Sequence, residues 1–320
     1  MGRSEFLWAG RVILLLLLQL IPGILGWGKE GHYATCKIAE AYLTSDALAA
    51  VKSLLPSVAE GDLANVCSWP DQIRFHYRWS SSLHFCDTPD FRCNYDFKSE
   101  FMISSFFLCV LLLIVNTLCI GDCHDTRGQE NRCVTAAIYN YTTQLMSYND
   151  TYSSMRYNLT EALMFLAHFM GDVHQPLHVG FVGDQGGNTI NVHWYKRKSN
   201  LHHIWDTLVI ESAMKTFYSN DLGVMIESIQ KNITDGWSDE LGQWEACAKD
   251  GVACPGSYAS ESISLACKYA YRNATPGTTL NDNYFYSRLP IVEKRLAQGG
   301  VRLAAVLNHI FTSKSLVSQQ

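Results

Sequence analysis

The segment that most limits how this chain can fold is His168-Phe-Met-Gly-Asp172-Val-His-Gln-Pro-Leu-His178, which crowds three strong metal-binding side chains into one helix end and the turn after it. His168 and Asp172 are four residues apart, so on a helix they project from one face. The apolar stretch from Ala162 to Met170 supplies the buried surface that holds that face rigid. Pro176 breaks the helix and lets the chain turn His178 back toward the same cavity. A second pair with the same spacing, His202 and Asp206, follows within Asn200-Leu-His-His-Ile-Trp-Asp206. A single histidine on an apolar helix face is more often a core residue satisfied by its neighbours. Two His-x-x-x-Asp pairs with a linked third histidine favour a metal site instead. Imidazole with carboxylate and no thiolate suits catalytic zinc, because mixed nitrogen and oxygen sites keep room for water while structural zinc sites are Cys-rich and closed, with manganese or iron as the alternatives for such donors.

A chain of 320 residues with 48% hydrophobic content can bury a substantial core in one or two domains. A net charge of -5 argues against a broad basic surface that grips nucleic acid, so an anionic substrate must be drawn locally, by metal. The amino terminus carries Arg3 and Arg11, then a Leu-rich core from Val12 to Leu25 and small Gly26, which reads as a secretory signal peptide over residues 1–26. Sequons at Asn140, Asn149, Asn158, Asn232 and Asn273 agree with N-glycosylation in the secretory pathway, with an extracellular or vacuolar destination. Eleven cysteines then read as a disulfide framework. Cys36 with Cys67 and Cys247 with Cys254 are plausible bridges; pairing among Cys86, Cys93, Cys123, Cys133 and Cys267 stays open.

Apolar residues at three-to-four spacing predict helices over Ala34–Tyr42, Ser45–Leu54, Cys133–Met146, Leu159–Met170, Leu222–Lys231, Tyr258–Tyr271 and Tyr284–Phe311. The best strand signal is Asn188–Tyr195, beside the Gly186-Gly187 turn, and suggests a short hairpin near the site. One mostly α-helical domain over residues 27–320, with long loops carrying the chemistry, is the expected architecture. Phe101–Ile120 departs from it, as about twenty nearly uncharged residues, long enough to cross a bilayer. A crossing there would put two groups of candidate ligands on opposite sides of a membrane. No functional span is therefore expected, and the stretch near 98–121 reads as an atypical apolar insertion from a retained intron or a wrong gene model.

Further ligands should lie upstream, and the candidates are Trp27-Gly-Lys-Glu-Gly-His32, Ser68-Trp-Pro-Asp71-Gln-Ile-Arg74 with its acid after a proline turn, and Leu83-His84-Phe85-Cys-Asp87-Thr-Pro. With HFMGDVHQPLH, the Gly186-Gly187-Asn188 triplet and NLHHIWD, they make six motifs in order. On these the chain resembles the secreted, zinc-dependent, single-strand-specific nucleases of plants and fungi, the S-one/P-one family, and most closely the plant bifunctional nucleases that are also 3′-nucleotidases. The resemblance runs from Trp27 to about Phe311, interrupted only near Lys98 to Gly121. It implies a mainly α fold of the phospholipase C and nuclease kind, a single helical domain with a short β-hairpin and disulfides. Single-stranded DNA, RNA and 3′-nucleotides would be the substrates, 5′-phosphates the products, and no obligate protein partner is needed.

The resemblance also implies three zinc ions. One takes Asp71, His84, His168 and Asp172; the second takes His32, Asp172 as a bridge, and Trp27 through its α-amino group and carbonyl oxygen; the third takes His178, His202 and Asp206. Trp27 has that amine only once the bond after Gly26 is cut. Clustered dications answer the difficulty of attacking an anionic phosphodiester, since they acidify water and neutralise developing phosphoryl charge. Asp71 would orient the nucleophile or take its proton, while Arg74 and Asp87 match positions near the scissile group; a surface ion pair is the competing account of Arg74. Phe85 and Asn188 match a nucleobase pocket, where stacking favours unpaired bases; an ordinary core role competes for Phe85. His76, His124, His174, His193, His203 and His309 fall off the ligand positions. A cysteine expected soon after Cys93-Asn-Tyr95 is missing, so Cys109, Cys119 or Cys86 could mispair with the orphan it leaves. A zinc phospholipase C, or an inactive insert-bearing splice product, are the rival readings.

Overall fold

Helices carry most of the fold, and the computed structural model describes residues 27–97, 121–148, 156–247 and 252–312. The predicted signal peptide, the apolar stretch Phe101–Ile120 and the sequon at Asn149 lie outside the described residues. Helix α1 spans Lys29–Ala41 and starts earlier than its apolar period suggests, because Gly31 and His32 in its first turns are buried as well. Helix α2 spans Ser45–Leu54, capped by the Thr44 hydroxyl, which accepts from the Ala47 N–H. Helix α3, Trp69–Ile73, is a short element with Pro70 in its first turn, where a missing N–H does no harm. The acid expected after a proline turn, Asp71, thus sits inside a helix.

Helix α4 spans Val134–Leu145 and α5 spans Leu159–Asp172. Asn158 caps α5, its side-chain oxygen accepting from the Glu161 N–H. Helix α5 is buried from Ala162 to Asp172 and forms the axis of the core. It ends at Asp172, so Pro176 does not terminate it but opens a separate 3-10 turn, Pro176–Val179. Strands β1, Asn191–Trp194, and β2, Arg197–Asn200, make the expected hairpin, shorter at both ends than the alternating pattern. A third strand, β3 at Thr279–Leu280, pairs parallel to β1 and left no sequence signal.

Helix α6, Val209–Phe217, was not among the expected helices although its apolar residues keep the helical period, and neither was α8, Ser238–Glu245; between them α7 spans Leu222–Asp235. Helix α9, Pro255–Leu265, continues into a π-helical turn, Ala266–Ala270. Helix α10 runs from Asp282 to Thr312 and tolerates Pro290 in its interior. It lies close against α1: a Cβ on Gly300 would meet Ile38 Cγ2 at 2.5 Å. Among the described residues no helix is long and apolar enough to cross a membrane.

Disulfides join Cys36 to Cys67 and Cys247 to Cys254, as expected. Cys93 pairs with Cys267 and Cys123 with Cys133, which settles the open pairings and leaves Cys86 as a buried free thiol. None of the described bridges uses Cys86, while Cys109 and Cys119, the other candidates for mispairing, lie outside the described residues.

Candidate metal centre

Eight side chains predicted as ligands converge in the interior from seven separate pieces of chain. His32 comes from α1, Asp71 from α3 and His84 from the end of the 3-10 segment Arg78–His84. His168 and Asp172 come from α5, His178 from the 3-10 turn after it, and His202 from a single α turn, Leu201–His203, which follows the hairpin. Asp206 lies in a π-helical turn, Ile204–Leu208, so the second His-x-x-x-Asp pair is not a copy of the first. Wider π turns recur at functional sites because they re-aim side chains. His202 Nε2 and Asp206 Oδ2 still come within 3.3 Å.

Three groups emerge, each with its donor atoms close enough to hold a metal ion and each fully buried: His32, His168 and Asp172; Asp71, His84 and His168; His178, His202 and Asp206. Asp172 joins the first two. Its Oδ1 lies 3.3 Å from His32 Nε2, while its Oδ2 lies 3.0 Å from His84 Nδ1 and 3.2 Å from His168 Nε2. Two oxygens turned to two imidazole sets is the arrangement a bridging carboxylate requires. Trp27, also predicted, is buried beside them, with its Cδ1 3.6 Å from where a Cβ on Gly171 would stand. The neighbouring Gly28 N–H donates to the Asp206 carbonyl, at 2.8 Å, which pins the start of the family-like segment to the third group.

The donor set fits divalent metal. His168, His178 and His202 each place Nδ1 within 2.8 Å of a backbone carbonyl, from Cys67, His84 and Gly186 respectively. An N–H donated there fixes the tautomer and leaves Nε2 as a lone-pair donor, the outer-shell arrangement of metal-ligating histidine. His32 Nε2, His84 Nε2, Asp71 Oδ1 and Asp172 Oδ1 are buried without a hydrogen-bond partner. Such orphaned atoms are expensive unless something else pairs them.

Charge tells the same story. Burial, aided by the His168 charge, pulls His32 down to about 4, and burial lowers His84. Burial also works against a charged His168, but the Asp172 and Asp71 carboxylates outweigh it and raise this group. Burial pushes Asp206 far above the usual carboxylate range, with Asp71 and Asp172 adding like charge. For Asp172 burial acts upward too, yet the His168 and His178 charges overcome it and hold it well below its ordinary value. Asp206 thus lacks enough positive charge among its neighbours, and a dication in the third group would supply it.

Arg74 and Asp87, expected near the scissile group, and Phe85 and Asn188, expected around a nucleobase, are all among the described residues. Arg74, at the C-terminal end of α3, is buried and makes no ion pair among the described residues, which removes the surface-pair reading; its guanidinium sits 5.2 Å from the Phe75 ring centroid. Phe85 is half-buried and stands outside the core, against an ordinary core role. Asp87 is half-buried, and its burial, with the Asp184 charge, pushes it up to about 7. Asn188 is half-buried and spends its side-chain N–H on the Gln185 carbonyl at 2.8 Å. The segment carrying His84 to Thr88 is tied to the turn carrying His178, since the Cys86 N–H donates to the His178 carbonyl and the Thr88 N–H to that of Gly180.

Sequence reasoning missed two supporting side chains. Gln175, wholly buried, donates from Nε2 to Asp206 Oδ1 and accepts the Leu177 N–H at Oε1. Tyr271 donates to Asp184 at 3.0 Å and accepts the Phe181 N–H at 2.9 Å. Gln175 lies inside a quoted motif, so its position was visible though its role was not; nothing marked Tyr271. His174, assigned a structural role, is buried with Nδ1 2.7 Å from the Met170 carbonyl and Nε2 facing Arg302.

A sequence profile described as S1/P1 Nuclease matches residues 27–312. The chain belongs to the S1/P1 nuclease family. It is similar to Endonuclease 4 of Arabidopsis thaliana, 60% identical over 317 residues that cover 98% of each chain. Nuclease P1 of Penicillium citrinum is 29% identical over 90% of this chain and 99% of its own, and Nuclease S1 of Aspergillus oryzae is 27% identical over 91% and 93%. The resemblance read from the motifs therefore stands, and with it the mainly helical fold and the enzyme class: this member of the S1/P1 family is a hydrolase of phosphodiester bonds.

Proposed function

We propose that this chain is a secreted, zinc-dependent endonuclease that cuts single-stranded DNA and RNA to 5′-phosphate products and also acts on 3′-nucleotides. The observation that carries this reading is the trio of buried His/Asp groups, two of them joined through Asp172, in a family of nucleases. Zinc would be held by Asp71, His84, His168 and Asp172, by Trp27, His32 and Asp172, and by His178, His202 and Asp206. Bound there, zinc supplies Lewis-acid charge that acidifies water and neutralises phosphoryl oxygens.

The chain's own residues do the rest. Asp71 presents a buried, unpaired Oδ1 that orients a water or takes its proton. Arg74, which makes no ion pair among the described residues, is placed to hold a phosphate oxygen. Asp87 keeps its proton up to about pH 7 and so donates a hydrogen bond to substrate under acidic conditions, where an ionised carboxylate would only repel phosphate. The half-exposed Phe85 ring offers a face to an unpaired base, which a paired base in a duplex cannot reach. Gln175 holds Asp206 in place from behind.

The mature protein would begin at Trp27, where the family match also begins, and release of its amine by signal cleavage would complete the second site. Asn140, Asn158 and Asn273 are exposed and open to glycans, while Asn232 is half-buried. The deciding experiment is elemental analysis of the secreted protein with hydrolysis of single-stranded DNA followed on the same sample. About three zincs per chain, and activity lost on chelation, are expected. Little zinc with no hydrolysis sinks the reading for this insert-bearing chain, and hydrolysis of a choline phospholipid instead would point to the rival chemistry.

A further inference from the structure

We infer that Phe91 is a stacking platform for a second unpaired nucleobase, outside the Phe85 pocket, and so sets how tightly a long single strand is held; this rests on the proposed nuclease reading. Phe91 is 89% exposed, the most exposed of the large apolar side chains among the described residues. A lone exposed aromatic would mean little, but this one is held by force. Its φ of 63° lies in the left-handed region, which a bulky residue adopts only when its surroundings over-determine it.

Those surroundings are specific. Before Phe91, Asp90 accepts the Gly183 N–H at 2.7 Å, and Thr88 accepts from Val182. After it, the Arg92 N–H closes a turn on the Pro89 carbonyl at 3.0 Å, Arg92 pairs with the buried Asp122, and Cys93 is locked to Cys267. The ring is backed on one side only: it tilts against Phe181 at 5.9 Å, and Phe181 stacks on Tyr271 at 4.6 Å. A rigid aromatic with a free face loses little conformational freedom when a flat partner settles on it.

The occupant follows from continuity with the site. Phe91 is six residues beyond Phe85 on the same segment, within roughly 20 Å along an extended chain and nearer across the turn. That segment is the one fastened to the His178 turn. A strand with one base on Phe85 has its neighbouring bases unpaired, and each offers a π-face without regard to sequence.

The test uses the metal-loaded protein with two substrates, a thymidine oligonucleotide and a single 3′-nucleotide, together with a fluorescent phosphorothioate oligonucleotide for binding. In Phe91→Ala the ratio of KM for the long strand to KM for the 3′-nucleotide should rise about tenfold, as the loss of one base–aromatic stack predicts. The Kd for the phosphorothioate strand should rise by a similar factor, and Phe91→Trp should restore both. Phe91→Asn removes the ring in a residue that tolerates positive φ, so a folding defect in the alanine variant cannot mimic the effect. Val58→Ala, at an exposed apolar site on a different turn, should leave both readouts alone. An unchanged ratio with unchanged Kd in both ring-less variants overturns the inference while the wild type still cuts single strands; a wild type that cuts neither substrate overturns it by removing the nuclease reading itself.

Discussion

Replacing Glu261 by alanine should destabilise this protein strongly although Glu261 lies outside the metal centre. Glu261 accepts a forked pair of hydrogen bonds from Arg302, at 2.6 and 2.7 Å, and a third from Arg295 at 2.8 Å. Both arginines are buried, and Arg295 also donates to the His174 carbonyl at 3.0 Å, just beyond the end of α5. Burial already pulls Arg295 down to about 10, so it is a cation kept charged at a price in solvation. Three charge-assisted bonds would contribute several kcal/mol if wholly buried. The Glu261 side chain is 40% exposed, and solvent screening reduces that to about 3–4 kcal/mol, the range found when one partner of a buried pair is removed. At roughly 2 °C per kcal/mol for a domain of this size, Tm should fall by about 7 °C. Urea unfolding of Glu261→Ala, Arg302→Met and the double variant at neutral pH gives the coupling directly. The double variant should lose at least about 1 kcal/mol less than the sum of the singles, because Glu261→Ala leaves a cation stranded that Arg302→Met removes. A loss below about 1 kcal/mol for Glu261→Ala, or strict additivity, would refute the reasoning.

The same carboxylate predicts an acid limb. Burial would raise Glu261, but the Arg302 hydrogen bonds and the Arg295 charge outweigh it and the group is lowered. Its stabilising effect is then complete above the ordinary glutamate value and is lost as pH falls below it, so the stability difference between wild type and Glu261→Ala should shrink steadily below about pH 4.5 in urea titrations. Asp172→Asn should empty two zinc positions and abolish hydrolysis whereas His203→Ala is nearly silent; equal losses of zinc and activity from both would show a misplaced ligand set. Gly171→Ala puts a Cβ 2.8 Å from His32 Nδ1, so it should lower zinc content by about one ion per chain while adding helix propensity, and full zinc with wild-type activity would contradict that placement. Chelation should lower Tm as well as activity, because zinc bound only by the folded chain stabilises it.

Local spacing and chemistry carried much of this protein on their own. The His168–Asp172 pair needs only α-helical geometry to face one way, and α5 is helical because its apolar residues recur at the helical period and Asn158 caps it. Hence the helices with clean periods, the hairpin and all candidate ligands were legible in the residues, the upstream ligands with the help of family motifs. A weaker period hid α8, α6 was passed over although Val209, Ile210, Ala213, Met214 and Phe217 keep the helical period, and β3 is two residues whose pairing with β1 depends on a partner 86 positions away. Tertiary structure alone decided that Asp172 turns one oxygen to His32 and the other to His84 and His168, that Asp206 reaches its group through a π turn, and that Cys93 chooses Cys267 over its nearer neighbours. It alone gave Gln175, Tyr271 and Phe91 their places. The reason is the range of the forces involved: periodicity and capping act within a few residues and are written in order along the chain, whereas which buried atom finds which partner is settled only when distant segments close-pack and every polar group must be paired.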